Sequence, residues 1–235
     1  MRFTEALRSL HQAQKTSRGV SLYSRWVNRP LGRLLAAAAA SAGIGPNAVT
    51  ALSAAVTAAG LAVLVVAPIS AVAGICVAFL LVFGFALDSA DGQVARLTGR
   101  GSRAGEWLDH VVDAGKMVAV HGAVLVALWR DDADVLWMAV ALAYQFVSVV
   151  FFAALTLYSL LRGGGSATAS TASTASMARA VALLPADYGV LALAFVLWGI
   201  QPAFLPTYTA LMLTTAVIAA ALSVKWFRGL SSERG

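Results

Sequence analysis

Residues 71–113 read AVAGICVAFLLVFGFALDSADGQVARLTGRGSRAGEWLDHVVD and join an apolar segment to a cluster of carboxylates. The first part, Ala71 to Leu87, has no charged residue, and as a helix it is long enough to cross a hydrocarbon core of roughly 30 Å. Asp88 follows directly, and three more aspartates occur by residue 113. Carboxylates in or against a membrane span are energetically expensive, so they are functional candidates by default. This segment therefore predicts a membrane fold and the position of its site.

The composition of the whole chain agrees with a membrane protein. Its 235 residues are 60% hydrophobic and only 12% charged, whereas soluble domains carry about 25% charged residues. The single cysteine, Cys76, excludes a disulfide framework and a cysteine-rich metal site. The net charge of +6 suits either nucleic acid or an anionic membrane surface. Because the basic residues flank apolar segments, we expect the lipid bilayer as a partner and no nucleic acid.

Apolar segments of spanning length recur along the chain, and we predict six transmembrane helices. They are predicted at Ala48 to Ala67, Ala71 to Leu87, Asp109 to Trp129, Val135 to Leu161, Leu183 to Ile200, and Ala203 to Phe227. The predicted fold class is thus an all-α integral membrane protein. Its six-helix domain covers residues 46–228, and a short cytoplasmic tail covers residues 229–235.

Residues 1–45 are predicted to form a cytoplasmic, juxtamembrane segment. From Val20 onward, apolar residues recur at helical spacing, while Arg25, Arg29 and Arg33 form a stripe four residues apart. This pattern predicts a basic amphipathic helix on an anionic leaflet, interrupted at Pro30. A disordered basic tail is the alternative, and either form belongs on the cytoplasmic side.

The distribution of lysine and arginine predicts the topology. With a cytoplasmic N-terminus and six spans, nearly all basic loop residues lie on one side, and only Arg130 lies on the other. The positive-inside rule therefore predicts that both termini are cytoplasmic in the cytoplasmic membrane. The aspartates then face the cytoplasm.

The spacing of the four aspartates predicts a metal centre. Asp88 and Asp91 share one helix face, as do Asp109 and Asp113. In a helical hairpin the two pairs would face each other, and they would repel unless protons or cations neutralised them. Ligation by oxygen alone favours Mg²⁺ or Mn²⁺. Two such ions form the usual clamp for displacement at phosphorus, which predicts phosphoryl chemistry at the membrane surface.

The same residues also match a known pattern. They form D-x2-D-G-x2-A-R-x8-G-x3-D-x3-D, which resembles the signature of the CDP-alcohol phosphotransferase (CDP-alcohol phosphatidyltransferase) family. Its positions are Asp88, Asp91, Gly92, Ala95, Arg96, Gly105, Asp109 and Asp113. Upstream, Pro46 to Thr50 read PNAVT and resemble the P-N-x-x-T opening of that family's first membrane helix.

This resemblance implies a divalent-metal-dependent transferase. Such an enzyme moves a phospho-alcohol from a CDP-linked donor to a hydroxyl acceptor and releases CMP. The four aspartates would hold two ions, Asp113 would also deprotonate the acceptor, and the protein would form a homodimer. The residues implied to face the CDP-donor are Asn47, Ala48, Val49, Thr50, Gly92, Arg96 and Ser102.

Three basic residues are candidates for contact with the acceptor or with a phosphate. Lys116 lies three residues beyond Asp113 on the same face, and either a phosphate contact or an internal ion pair with Asp113 explains it. Arg162 and Arg179 would suit a phosphorylated acceptor if they fold back over the aspartates. Alternatively, Arg162 and Arg179 are ordinary loop arginines that follow the positive-inside rule.

The favoured function is transfer of a phosphatidyl group from CDP-diacylglycerol to an acceptor such as inositol phosphate or glycerol phosphate in phospholipid biosynthesis. The alternative within the family is a head-group transferase that uses CDP-inositol, CDP-choline or CDP-ethanolamine. A divalent-cation channel or transporter is the alternative from another class. Against it, the aspartates cluster at one end of the spans, with no matching charged ladder at the other end.

Overall fold

A computed structural model describes residues 2–12, 21–161 and 180–232 of the chain. Helices make up all the regular structure in these ranges, and the predicted all-α class is confirmed. The helices are α1 Phe3–Gln12, α2 Arg29–Ser41, α3 Pro46–Val66, α4 Ala71–Thr98, α5 Arg103–Arg130, α6 Val135–Leu161, α7 Tyr188–Ala194 and α8 Gln201–Ser232.

Within the described ranges, five helices are long and apolar enough to cross a membrane: α3, α4, α5, α6 and α8. The remaining predicted span, Leu183 to Ile200, is not a continuous helix. It contains a 3-10 turn at Leu184–Ala186, the short helix α7 and a second 3-10 turn at Phe195–Leu197. Asp187 breaks it, because its backbone is extended and its carboxylate caps α7 by accepting a hydrogen bond from Gly189 N at 2.7 Å. Six continuous spans are thus not confirmed.

The two helices that carry the aspartates are longer than their apolar segments. α4 continues past Leu87 to Thr98, and α5 begins at Arg103 rather than at Asp109. Gly99 ends α4 in the left-handed conformation (φ 66°), and the Ser102 hydroxyl caps α5 by accepting from Gly105 N at 3.0 Å. The polar ends of both helices therefore form a short hairpin that carries all four aspartates.

The N-terminal segment packs against α4. A π-helical turn at Ser24–Asn28 leads into α2, where Pro30 occupies the first turn and does not interrupt the helix. On one face of α2, Gly32 and Ala36 are buried; a Cβ at Gly32 would lie 2.7 Å from the Ser89 hydroxyl of α4. Trp26, Leu31 and Leu34 are exposed. Placement of this segment on a membrane surface remains a prediction.

Asp187 and Gly189 attach residues 21–24 of the N-terminal segment to α7. Asp187 accepts hydrogen bonds from the Ser21 hydroxyl and from the Ser24 hydroxyl, the latter at 2.6 Å. The ring of Tyr23 lies directly over Gly189, where there is no room for a Cβ. The glycine is required by this close approach, and it fixes α7 beside α4.

A buried core holds α5, α6 and α8 together beneath the site. His121 is fully buried and bonded on both sides, with Tyr208 OH at 2.5 Å from Nδ1 and Ser148 Oγ at 3.0 Å from Nε2. The aromatic rings of Tyr144 and Tyr208 pack around it. This histidine is an interhelical structural residue.

Gly189→Ala is expected to destabilise the protein, because the added methyl would overlap the Tyr23 ring. Overpacking of this kind costs about 1–3 kcal/mol, so the midpoint of thermal unfolding in detergent should fall. Gly122→Ala is the matched control, since a Cβ there meets no described atom within 4 Å and alanine is the better helix former. Equal midpoints for the two variants would contradict this packing.

Candidate active site

The hairpin of α4 and α5 brings three of the four predicted aspartates into one cluster. Carboxylate oxygens of Asp88, Asp91 and Asp109 lie within 4.8 Å of one another. Asp91 is buried, while Asp88 and Asp109 are partly accessible. Three like charges this close favour uptake of a cation. Their oxygens are hard ligands of the kind that Mg²⁺ and Mn²⁺ prefer, so these residues fit a divalent ion.

Asp113 lies beside this cluster and is paired with Lys116. The Lys116 ammonium donates to Asp88 and to Asp113, the latter at 3.2 Å, and its side chain is only 9% exposed. The sequence left two alternatives for Lys116, a phosphate contact or an ion pair with Asp113. The structure shows the ion pair and adds Asp88 to it. A buried cation between two carboxylates offsets their repulsion.

Helix α3 closes the other side of the cluster. The Thr50 hydroxyl donates to Asp91 Oδ2 at 2.6 Å, and Ser53 Oγ accepts from the Lys116 ammonium at 3.0 Å. Ser53 in turn donates to the Gly84 carbonyl at 2.8 Å. A Cβ at Gly84 would lie 2.5 Å from the Thr57 hydroxyl, so the glycine permits the close contact of α3 with α4.

Ser53 is a functional neighbour that the sequence analysis did not identify. The sequence feature that could have indicated Ser53 is its position three residues after Thr50, on the same face of α3. Its partners on α4 and α5 lie far away in sequence, so spacing alone did not indicate them.

An open cleft of about 560 Å³ lies above the aspartates, between α3 and the α4–α5 hairpin. Most of the predicted donor-binding residues line it, namely Asn47, Thr50, Gly92, Arg96 and Ser102. The other two do not: Ala48 is exposed, and Val49 is buried in a separate apolar cluster beneath α2. Asp91, Asp109 and His110 also face the cleft.

The lining of the cleft contains both negatively and positively charged side chains. Carboxylates occupy its inner end, whereas Arg96 and Arg103 lie on its walls. A Cβ at Gly105 would lie 2.9 Å from Asn47 Oδ1, so this glycine brings the start of α5 against α3. Such a site suits a ligand with anionic phosphates, one end of which meets a bound cation.

Arg29 extends the positive side of the site toward α2. Its carbonyl accepts from Gln93 Nε2 at 3.4 Å, which places its turn of α2 against α4. Burial and the neighbouring charges of Arg96 and Arg25 lower the pKa of the Arg29 guanidinium. Part of the predicted arginine stripe therefore belongs to the α2–α4 contact rather than to a lipid-facing surface. Arg162 and Arg179 lie outside the described residues.

Comparison with known proteins identifies the family. The sequence profile of the CDP-alcohol phosphatidyltransferase family matches residues 44–227, and the chain belongs to this family. The resemblance of the aspartate motif is thereby confirmed. Its described residues include five apolar helices of spanning length, so the protein is an integral membrane CDP-alcohol phosphotransferase.

A solved structure has a similar fold. Phosphatidylinositol phosphate synthase of Mycobacterium tuberculosis, crystallised with CDP-DAG bound, aligns with a TM-score of 0.56 and 19% identity. The alignment covers 85% of this chain and 92% of that one. At this identity the likeness concerns the fold. A search of curated proteins found no match.

Thr50→Val is expected to weaken Mn²⁺ binding, because it removes the hydroxyl that orients Asp91. Loss of such an outer partner reduces metal affinity about 10- to 100-fold, which titration calorimetry of the purified protein would measure. Thr98→Val is the control, since that hydroxyl donates to the Val94 carbonyl of its own helix. Wild-type affinity in Thr50→Val would contradict the role of this hydrogen bond.

Proposed function

We propose that the protein transfers a phosphatidyl group from CDP-diacylglycerol to a hydroxyl acceptor and releases CMP, as a step of phospholipid synthesis. The observation that carries this proposal is the cleft at the acidic cluster, lined by the residues of the family motif. The lipid donor is supported by the similar fold of a synthase that was solved with CDP-DAG.

The proposed metals are Mg²⁺ or Mn²⁺, in two sites. Asp88, Asp91 and Asp109 would hold one ion, and Asp113 would contribute to the second. When bound, the ions polarise phosphoryl oxygens and neutralise the charge of the diphosphate.

The proposed chemistry of the chain itself centres on Asp113. Its carboxylate accepts the proton of the acceptor hydroxyl, the acceptor oxygen bonds to the phosphorus that bears the lipid, and the bond from that phosphorus to the CMP oxygen breaks. Lys116 positions Asp113 and helps to keep it ionised. Arg96 holds a phosphate of the leaving CMP.

The donor is proposed to lie along Asn47 to Thr50, Gly92, Arg96 and Ser102. We also propose that the cleft opens to the cytoplasm and that both chain ends lie on that side, with the interrupted segment 183–200 as the sixth crossing. We further propose a homodimer, and Arg162 and Arg179 remain proposed contacts of a phosphorylated acceptor.

The first test is release of CMP by the purified protein in detergent. CDP-diacylglycerol, CDP-inositol, CDP-choline and CDP-ethanolamine are offered separately, each with Mg²⁺ or Mn²⁺ and a pool of hydroxyl acceptors. We expect CMP from CDP-diacylglycerol only, and none after chelation with EDTA. CMP from a soluble donor only would replace the phosphatidyl assignment with head-group transfer. Metal flux into liposomes without CMP from any donor would support an ion pathway.

Asp113→Asn is expected to lower turnover about 10²- to 10⁴-fold, the usual contribution of a positioned base. Binding of the CDP-donor should be partly retained, because Asp88, Asp91 and Asp109 still form their cluster. Asp131→Asn, at the opposite end of α5, is the control and should behave like the wild type. Wild-type turnover in Asp113→Asn would refute its role as a base.

A further inference from the structure

A second and smaller cavity adjoins the aspartates on the side away from the cleft. Its volume is about 40 Å³. It is lined by Thr57, Phe85, Asp88, Asp113, Lys116, Met117 and Tyr188. Asp91 and Asp109 face the cleft, whereas Asp88 and Asp113 face this cavity. Asp113 lies one helical turn beyond Asp109 along α5, so the cavity is deeper in the helix bundle.

Two hydroxyl groups in the lining of this cavity are buried without a hydrogen-bond partner among the described residues. They are Thr57 Oγ1, whose residue is 2% exposed, and Tyr188 Oη at the start of α7. A buried polar group of this kind is unusual in a folded protein. Both belong to the small set of residues around the proposed base, which indicates that they serve a ligand.

The chemistry of the proposed reaction indicates which ligand this is. In a displacement at phosphorus, the attacking and leaving oxygens lie roughly in line on opposite sides of the phosphorus. CMP leaves on the side of the cleft, where Arg96 lies. The proposed base Asp113 lines the small cavity and not the cleft, so we expect the attacking hydroxyl on the side of Asp113, Thr57 and Tyr188.

We propose that the hydroxyls of Thr57 and Tyr188 bind the attacking hydroxyl of the acceptor beside Asp113, and that the cavity selects an unbranched primary alcohol. This proposal rests on the proposed function. Each of the two protein hydroxyls can donate a hydrogen bond to the acceptor oxygen, so the oxygen is held while Asp113 takes its proton.

The proposed selectivity for an unbranched primary alcohol follows from the size of the small cavity. At about 10–15 Å³ for each water-sized group, it accommodates about three such groups, which is enough for a hydroxymethyl or hydroxyethyl end. A polyhydroxylated six-membered ring does not fit. A larger cavity of about 140 Å³ shares Met117 and Tyr188 with the small one.

The test compares Tyr188→Phe and Thr57→Val with the wild type in steady-state kinetics with CDP-diacylglycerol. Glycerol phosphate and serine are the primary alcohols, and inositol phosphate is the ring alcohol. Each variant is expected to raise KM for the primary alcohol about 3- to 10-fold, as loss of one hydrogen bond does. KM for CDP-diacylglycerol and the affinity for Mn²⁺ should stay at their wild-type values. Wild-type turnover with inositol phosphate should be lower than with a primary alcohol.

Thr57→Ser keeps the hydroxyl and should preserve the acceptor KM, and Tyr158→Phe on α6 is the matched tyrosine control. An unchanged acceptor KM in both Tyr188→Phe and Thr57→Val, or an equal rise in KM for donor and acceptor, would overturn the proposal. CMP release by the wild type would still support the proposed function. Preference for inositol phosphate would overturn the selectivity. No CMP from the wild type with any acceptor would overturn the proposed function and this inference with it.

Discussion

Four carboxylates at the end of apolar helices must be neutralised, and the architecture of the site follows from this constraint. Lys116 supplies one positive charge from within α5 and pairs with Asp88 and Asp113, while Asp88 also belongs to the cluster with Asp91 and Asp109. A buried cation of this kind is stable only where carboxylates surround it. The remaining negative charge of Asp88, Asp91 and Asp109 favours the divalent ion that we propose there.

Close helix packing makes this arrangement possible. Helix α3 approaches α4 at Gly84 and α5 at Gly105, where a Cβ would lie 2.5 Å from the Thr57 hydroxyl and 2.9 Å from Asn47 Oδ1. Hydroxyl groups on α3 then replace the water that the carboxylates and the ammonium lose on burial. Gly84, the motif glycine Gly105 and the threonine of the PNAVT segment thus act through packing and hydrogen bonding.

The aspartates separate two spaces of different character. The cleft is wide, open and lined with arginines, and we propose it for the cytidine diphosphate of the donor. The inner cavity is narrow, with two hydroxyls, two carboxylates and one ammonium. Asp187 positions Tyr188 at the start of α7 and also anchors Ser21 and Ser24. The break in the predicted span therefore has a structural role, because it brings a tyrosine hydroxyl toward Asp113.

The sequence by itself determined the membrane class, the helical hairpin and the positions of the aspartates, because hydropathy and i to i+4 spacing are local properties. Only the tertiary structure decided how the charges pair. Asp88 binds Lys116 from another helix, Ser53 binds Lys116 from a third, and Thr57 and Tyr188 line one cavity although they are far apart in sequence. The break at Asp187 was also missed, since average hydropathy does not register a single capping carboxylate. Spacing constrains residues within one helix, whereas packing decides which helices meet.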